Sequence, residues 1–489
     1  MTTTVLEPAS VWDAKIYSGG WRSGGGGILD VIDKASGERL SRIGAASAAD
    51  VDQAVERARA AQVAWAETPG PLRGDVLRRA AAIIQARAEE ISTRIVRETG
   101  SIRAKGNAEV RMTVREISEA AALGSQPAGL ILASESPGRS STARRVPIGL
   151  VGVITPWNSP FLLASRAVAP ALVTGNAVLL KPDPQSSVVG GALFAEIFEA
   201  AGLPPGLLHV LPGGAPVGEA LVRHPQVGAI SFTGSTKVGR KIGEVAGGLL
   251  KKVQLELGGN NAFVILDDVD LDAAASTGAW GAFFHQGQIC MTAGRHLVQA
   301  SVADGYADAL VARAKALKVG DPFRTEAHLG PIINERQAAN VDRIVAESVA
   351  QGARLLTGGK RDGLFYEPTV LTDVRPGMPA FEEEIFGPVA PITPFETDAD
   401  AVRLANQTEY GLVAGVLAGD LTRGRAIAEQ LHAGSVHIND QTIIHEVFAP
   451  MGGMGVSGNG AAYGAVTNAD QFTEWQWVTS RAEIARYPF

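Results

Sequence analysis

A single cysteine stands in the 489-residue chain: Cys290, at the end of Phe283-Phe284-His285-Gln286-Gly287-Gln288-Ile289-Cys290. One thiol makes no intramolecular disulfide and no multi-cysteine metal site, so it is either a small apolar side chain or a nucleophile. It follows a glycine and two glutamines, and such a turn presents a side chain and its backbone N–H to a cleft. Glu256 lies in Val253-Gln-Leu-Glu256-Leu-Gly-Gly259. Between two leucines, loss of hydration raises a carboxyl pKa and suits the group to general-base work. Asn158, in Pro156-Trp157-Asn158, adds a carboxamide donor. Taken singly, an inert thiol and a solvent-facing strand glutamate stay open as alternatives. The 8 histidines show no His-Glu-x-x-His or comparable spacing, so no metal is expected.

Composition bounds the class. A chain of 489 residues, 46% hydrophobic, exceeds one core and implies two or three domains. A net charge of −7 with both signs interspersed carries no nucleic-acid footprint. The apolar run from Leu162 to Leu180 is broken by Arg166, Pro170, Gly175 and Asn176, so no membrane span is expected. Met1 to Ser10 lacks a basic start followed by an apolar stretch, which speaks against a secretory signal. The expected location is a reducing cytoplasm, where a free thiol persists.

The elements that must position these residues follow in chain order. Gly19-Gly20-Trp21 and Gly24 to Gly27 read as turns of an N-terminal hairpin region. Ser47-Ala-Ala-Asp50 resembles a capping box ahead of a helix whose face carries Val51, Val55, Ala58, Ala61 and Trp65. Pro71 to Glu90 and Lys105 to Leu123 read as two further helices. Residues 125 to 146 turn polar and lose the apolar spacing, and Phe472 to Thr479 alternates like a strand, with Trp475 and Trp477 on one face. These two stretches suggest an edge that pairs between subunits or, alternatively, within one chain.

From Gly149 the pattern is α/β: strands at Gly149–Thr155, Ala177–Lys181, Leu207–Leu211 and Gly228–Thr233, with helices at Pro160–Val173 and Ser186–Ala201 between them. Right-handed crossovers then give an open parallel sheet that binds ligands beyond the carboxyl ends of its strands. Those ends carry Pro156-Trp157-Asn158, Lys181-Pro182, Pro212-Gly213-Gly214 and Thr233-Gly234-Ser235. No Gly-x-Gly-x-x-Gly follows the first strand. Instead Phe232-Thr-Gly-Ser-Thr-Lys-Val-Gly239 opens a helix, whose free N–H groups attract a pyrophosphate. Lys181 is placed to hold ribose hydroxyls or a phosphate.

Pro-Trp-Asn158, Phe232 to Gly239, Leu-Glu256-Leu-Gly-Gly, Gly-Gln-Ile-Cys290 and Glu384-Ile-Phe386-Gly-Pro-Val together resemble the aldehyde dehydrogenase superfamily in type, order and spacing. The resemblance covers essentially the whole chain. Within that family it is similar to bacterial benzaldehyde dehydrogenases at Lys181-Pro-Asp-Pro, Leu-His-Val-Leu-Pro-Gly-Gly214, His285 to Met291, Val-His437-Ile-Asn-Asp-Gln441 and the Tyr-Pro-Phe terminus. The resemblance implies a Rossmann-like cofactor domain (1–124 and 147–257), an α/β catalytic domain (258–470) and a small β oligomerisation arm (125–146 and 471–489). Homodimers or homotetramers follow from it, as do NAD as cofactor and an aromatic aldehyde as substrate. Thr155, Pro156, Trp157, Lys181, Gly213, Phe232, Gly234, Ser235, Leu257, Glu384 and Phe386 inherit cofactor contacts. Glu384 would hold the nicotinamide ribose and Phe386 would pack beside the nicotinamide.

The implied mechanism is attack of the Cys290 thiolate on the aldehyde carbon. The oxyanion would be held by the Asn158 amide and the Cys290 N–H, hydride would leave for the cofactor, and Glu256 would activate water against the thioester. Three departures qualify it. Pro184 stands where many NAD-preferring relatives carry a glutamate, so NADP is also expected to be usable. Ala462 stands where many relatives have a further glutamate, which leaves proton transfer to Glu256. Ser159 and Arg166 replace bulky apolar or aromatic residues of the substrate tunnel. Phe161, Ile289, Met291 and Phe448 are expected to line the substrate slot, with His285 and His445 able to meet a polar substituent. Aliphatic or other ring aldehydes, such as vanillin or phenylacetaldehyde, are the alternative substrates. A CoA-acylating enzyme and a non-catalytic binding protein on the same fold are the other readings.

Overall fold

Strands made almost wholly of Val, Leu, Ile and Ala, such as Leu150–Ile154, Ala177–Lys181 and Asn261–Ile265, are buried along their whole length. Strands of this kind belong in parallel sheets covered by helices on both faces. The computed structural model describes residues 11–489, so Met1–Ser10, read above for a secretory signal, lies outside the described residues.

The chain builds two 7-stranded sheets. The first runs Lys252–Glu256, Ala229–Thr233, Leu150–Ile154, Ala177–Lys181 and Leu208–Val210 in parallel. The antiparallel hairpin Ile16–Ser18 and Trp21–Arg22 extends its far edge. The helix Pro160–Val173 is buried at every residue, and it crosses from the central strand to its neighbour. The second sheet runs Arg354–Thr357, Thr369–Thr372, Val389–Phe395, Ala293–Gln299, Asn261–Ile265, Val413–Leu417 and Ser435–Ile438, parallel except at its first strand. Only Leu257 to Asn260 separate the last strand of the first sheet from the first of the second.

The helix Ala48–Glu67 starts on the reciprocal Ser47–Asp50 capping box, with Val51, Val55, Ala58 and Trp65 buried beneath it. Two helical expectations are corrected. The stretch from Pro71 onward breaks at Arg87 into Gly70–Ala86 and Ala88–Thr99, where Arg87 leaves the helical region and its guanidinium pairs with Glu90 and Glu196. The Ser186–Ala201 helix is a short 3₁₀ turn (Pro184–Ser186), a π turn (Val188–Ala192) and a helix (Leu193–Ala200). Gly190 and Gly191 sit so close to Pro160 and Pro182 that side chains there would collide, and the wider π turn takes up that contact.

The two outlying polar stretches pair with each other. Thr473–Arg481 lies antiparallel to Arg139–Pro147 from end to end, and Gly129–Ile131 completes a 3-stranded sheet. Trp475 and Trp477 are exposed on it. Among the described residues no helix is long and apolar enough to cross a membrane.

Candidate active site

The loop carrying Cys290 is built against backbone preference. After the helix Leu271–Phe283 the chain passes through His285 (φ 52°), Gln286 (φ 56°) and Gly287 (φ 65°), three consecutive left-handed residues. A non-glycine residue there costs about 1 kcal/mol or more, and it persists only where the surroundings fix it. Gly287 has no alternative, because a Cβ would lie 2.1 Å from the Gly387 carbonyl oxygen. The two glutamines supply the fixing. Gln286 Nε2 donates to the carbonyls of Gly100 (2.9 Å) and Pro331 (2.8 Å), and Gln288 Oε1 accepts from Ile333 N at 2.9 Å. These buried amides therefore fasten the loop and do not face the cleft.

Cys290 emerges half-buried from this turn and packs on Leu412, Val413 and Met451. Its carbonyl accepts from Asn261 Nδ2 at 2.8 Å. Burial pushes the thiol up to about 12, with the Glu256 and Glu384 carboxylates adding to the shift and Arg166 opposing it. The side chains of Glu256, Glu384 and Arg166 thus share one electrostatic neighbourhood with the sulfur.

Glu256 ends the edge strand of the first sheet and is 3% exposed. Its Oε1 is buried without a hydrogen-bond partner. Desolvation holds the carboxyl up at about 8, against the lowering effects of Arg166 and the Gly453 N–H. Asn158, 5% exposed, follows the strand Leu150–Ile154 and precedes the helix Pro160–Val173. Its Nδ2 donates to the Gln288 carbonyl at 3.0 Å, which places the carboxamide against the Cys290 loop and leaves its second N–H to be used.

The dinucleotide-type residues gather at the carboxyl edge of the parallel strands. Lys181 is buried at its strand end, and desolvation lowers its pKa against the opposing pull of Asp183. Thr155 Oγ1 is buried with no partner. A Cβ on Gly213 would meet Val217 at 2.5 Å and one on Gly234 would meet the Phe232 ring at 2.5 Å, so backbone comes close at both turns. Ser235 N-caps the helix Thr236–Gly248, and Leu257 fills the space that a Cβ on Gly239 would need. From the second sheet side, Glu384 Oε1 accepts from Gly259 N at 2.9 Å, and burial raises its carboxyl to about 7. Phe386, at φ 52°, meets Trp157 edge-on at 5.5 Å. Ile289 lines a small cavity beside Glu384 and Phe386. An unpartnered buried hydroxyl, a buried lysine and closely approaching backbone fit a dinucleotide.

This arrangement of thiol, carboxyl, amide donor and dinucleotide edge now has an independent counterpart. The model of the aldehyde dehydrogenase family matches residues 21–478. The chain belongs to the aldehyde dehydrogenase family.

It is 49% identical over 479 residues to a benzaldehyde dehydrogenase [NAD(+)] of Pseudomonas putida, with 98% of each chain covered. It is equally 49% identical over 479 residues to a vanillin dehydrogenase of Amycolatopsis sp., again with 98% of each covered. Among solved structures, betaine aldehyde dehydrogenase from Staphylococcus aureus in complex with NAD+ superposes with a TM-score of 0.94 at 30% identity, covering 97% of this chain and 96% of that one. An Escherichia coli NADP-dependent enzyme superposes with a TM-score of 0.94 at 32% identity, covering 97% and 100%.

Several residues of this aldehyde dehydrogenase sit otherwise than expected. Phe161 is fully buried in the core of the first sheet, 4.9 Å from Phe194, because its helix is covered on all sides; it does not line a substrate slot. His285 is fully buried and hydrogen-bonded to the Asn158 carbonyl, so it cannot meet a substrate substituent. His445 is engaged by Glu116 at 2.7 Å and by Arg166 Nη2 at 3.1 Å. Met291 packs beside Cys290 on the Met451 cluster, while Phe448 is 62% exposed. Sequence reasoning passed over Lys105, Glu109 and Glu116. Their signal was spacing: charged residues falling on the same helical face as Val110, Thr113, Ile117 and Ala120.

Proposed function

We propose that this chain oxidises an aromatic aldehyde to the carboxylic acid with NAD, through a thioester on Cys290. The observation that carries the reading is the convergence at one crevice of the Cys290 thiol, the Asn158 amide and a desolvated Glu256 carboxyl whose Oε1 has no partner. Cys290 releases its proton to solvent water, and the thiolate attacks the aldehyde carbon, whose C=O π pair becomes the oxyanion. The oxyanion takes hydrogen bonds from Asn158 Nδ2 and the Cys290 N–H, where losing one donor costs roughly a hundredfold to a thousandfold. When bound, NAD supplies one chemistry, acceptance of the hydride that leaves the thiohemiacetal carbon. Glu256 then takes a proton from water as it adds to the thioester, and collapse of that adduct breaks the carbon–sulfur bond, releasing the carboxylic acid and the Cys290 thiolate.

Lys181, Thr155, Pro156, Trp157, Gly213, Phe232, Gly234, Ser235, Leu257, Glu384 and Phe386 would hold the dinucleotide, with Glu384 on the ribose and Phe386 against the ring. Residues 1–124 and 147–257 are assigned to the cofactor domain, 258–470 to the catalytic domain, and 125–146 with 471–489 to the arm. Pro184 offers no carboxylate toward a ribose 2′-phosphate, and Asp183 spends its own on capping Gln185 N at 2.9 Å. NADP should therefore support turnover as well. Ile289, Met291 and Phe448 are assigned to the substrate slot. The aromatic preference is supported by the names of the two relatives at 49% identity. Steady-state kinetics on benzaldehyde, vanillin and straight-chain aldehydes test it. Ring aldehydes should lead in kcat/KM by about tenfold or more, and benzoate, not benzoyl-CoA, should form from benzaldehyde. Parity with straight-chain aldehydes would refute the preference.

The pH dependence has a defined sign. Below about 8 Glu256 is mainly protonated and cannot accept a proton; above it the carboxylate is present. The steady-state rate should rise with pH through that value, and Glu256→Gln should flatten the rise. The exposed Trp475 and Trp477, on a strand whose outer edge lacks a neighbour among the described residues, support a homodimer or homotetramer formed through the arm. Sedimentation of the intact chain tests this. A reducing cytoplasm suits a mechanism that needs its thiol free.

A further inference from the structure

Beneath the Cys290 loop lies a buried ion pair that the mechanism above does not use. Lys105 and Glu109 occupy successive turns of the helix Arg103–Leu123 and are 4% and 2% exposed. They bond to each other; Lys105 reaches Asn158 itself, and Glu109 reaches the helix start that follows it. Glu109 Oε1 accepts from Phe161 N at 2.9 Å and Leu162 N at 3.2 Å. These are the free donors of the helix Pro160–Val173, whose own N-cap, Ser159, makes no side-chain capping bond. The carboxylate thus caps that helix from a neighbouring one, where negative charge is favoured. Lys105 Nζ donates to the Asn158 carbonyl at 2.7 Å. The same oxygen is 2.9 Å from His285 Nε2, and because a carbonyl only accepts, His285 carries its proton on Nε2. His285 is itself one of the left-handed residues of the cysteine loop. One carbonyl oxygen therefore ties together the helix bearing the ion pair, the residue bearing the amide and the loop bearing the thiol.

A buried ion pair is weak evidence of stabilisation, since desolvation offsets much of its attraction. A pair that holds the Asn158 carbonyl at one end and the N–H groups of Phe161 and Leu162 at the other is better suited to fixing the orientation of that short segment. We infer that Lys105, with Glu109 and His285, is a positioning residue for the reaction: Lys105 and His285 hold the Asn158 carbonyl while Glu109 fixes the helix start just after it, and together they aim the carboxamide at the oxyanion formed on Cys290. The inference rests on the reading of Asn158 as an oxyanion donor. Misplacing such a donor by about 1 Å is enough to cost up to about a hundredfold.

The test uses Lys105→Met/Glu109→Gln, which removes both charges while leaving an oxygen to cap Phe161 and Leu162. With benzaldehyde and NAD, the pre-steady-state NADH burst and kcat should fall about tenfold to a hundredfold. NAD affinity and the rate of Cys290 alkylation by iodoacetamide should stay within about twofold of the parent. A purely structural role predicts loss of all of these together, and that outcome overturns the inference, as does an unchanged burst. His285→Asn is the second arm, because asparagine tolerates the left-handed backbone but is too short to reach the carbonyl. It should show the same signature at several-fold, and an unaffected burst would again overturn the inference. Asn158→Ala runs alongside. If it keeps its burst, the oxyanion reading itself fails. If it loses the burst while the double variant does not, only the positioning role of Lys105 fails.

Discussion

Replacing Cys290 by alanine is expected to abolish NADH formation, with a loss of roughly 10⁵-fold or more in kcat, on the scale seen when a covalent nucleophile is removed. The chain has no second cysteine to take over. No other side chain in the crevice is a comparable nucleophile: Glu256 is held largely neutral at pH 7, and Asn158 is a donor already bonded to Gln288. Cofactor binding should survive, because the residues assigned to the dinucleotide sit on the first sheet's carboxyl edge and on Glu384 and Phe386. Titrating NAD against protein fluorescence separates these effects. A Cys290→Ala enzyme that turned over at a tenth of the parental rate or better would remove the thiol from the mechanism.

Glu256→Gln is expected to split the reaction. The first turnover should be retained as an NADH burst, and the steady state should drop about 10²- to 10⁴-fold, the usual contribution of a general base. The physical reason lies in the same electrostatics that raise the thiol pKa. Above about pH 8, where Glu256 is ionised, its carboxylate is one of the charges that oppose a thiolate at Cys290, so a neutral amide leaves the sulfur no harder to ionise at any pH. Water, by contrast, loses its only unpartnered buried carboxyl acceptor among the described residues. Intact-mass measurement during the slow phase should find the acyl group on the Cys290 peptide. A parental steady-state rate, or an absent acyl adduct after the burst, would show that another group carries the proton.

Much of the site's local chemistry was legible in the chain. The leucines on either side of Glu256 announce a desolvated carboxyl, and burial does raise it. The strand-end positions of Asn158, Lys181 and Gly234 follow from strand and helix periods alone, and the parallel register places them on one edge. Less legible were residues whose role depends on a partner far along the chain. Phe161 looks like a pocket residue because it lies beside a motif that lines the tunnel in the family the chain resembles, yet its helix is enclosed on all sides and turns the ring into the core. His285 and His445 look like candidate substrate contacts, but each is already occupied, by the Asn158 carbonyl and by Glu116. Glutamines beside a cysteine suggest a polar cleft, whereas Gln286 reaches Gly100, 186 residues away, to hold a strained turn.

By itself the amino-acid sequence determined the family and the residue types that the proposed chemistry uses: a lone thiol, a carboxyl in an apolar setting, an amide donor and glycine turns, in a characteristic order. These are properties of residue type and short spacing, which survive without any knowledge of long-range contacts. Only the tertiary structure decided which buried charges meet, that Lys105 holds the Asn158 carbonyl while Glu109 caps the helix after it, and that Arg166 pairs with Glu116 and acts electrostatically on both Glu256 and the sulfur. The energy of a buried charge is set by its partners and by the water it has lost, and both are fixed only when distant segments pack.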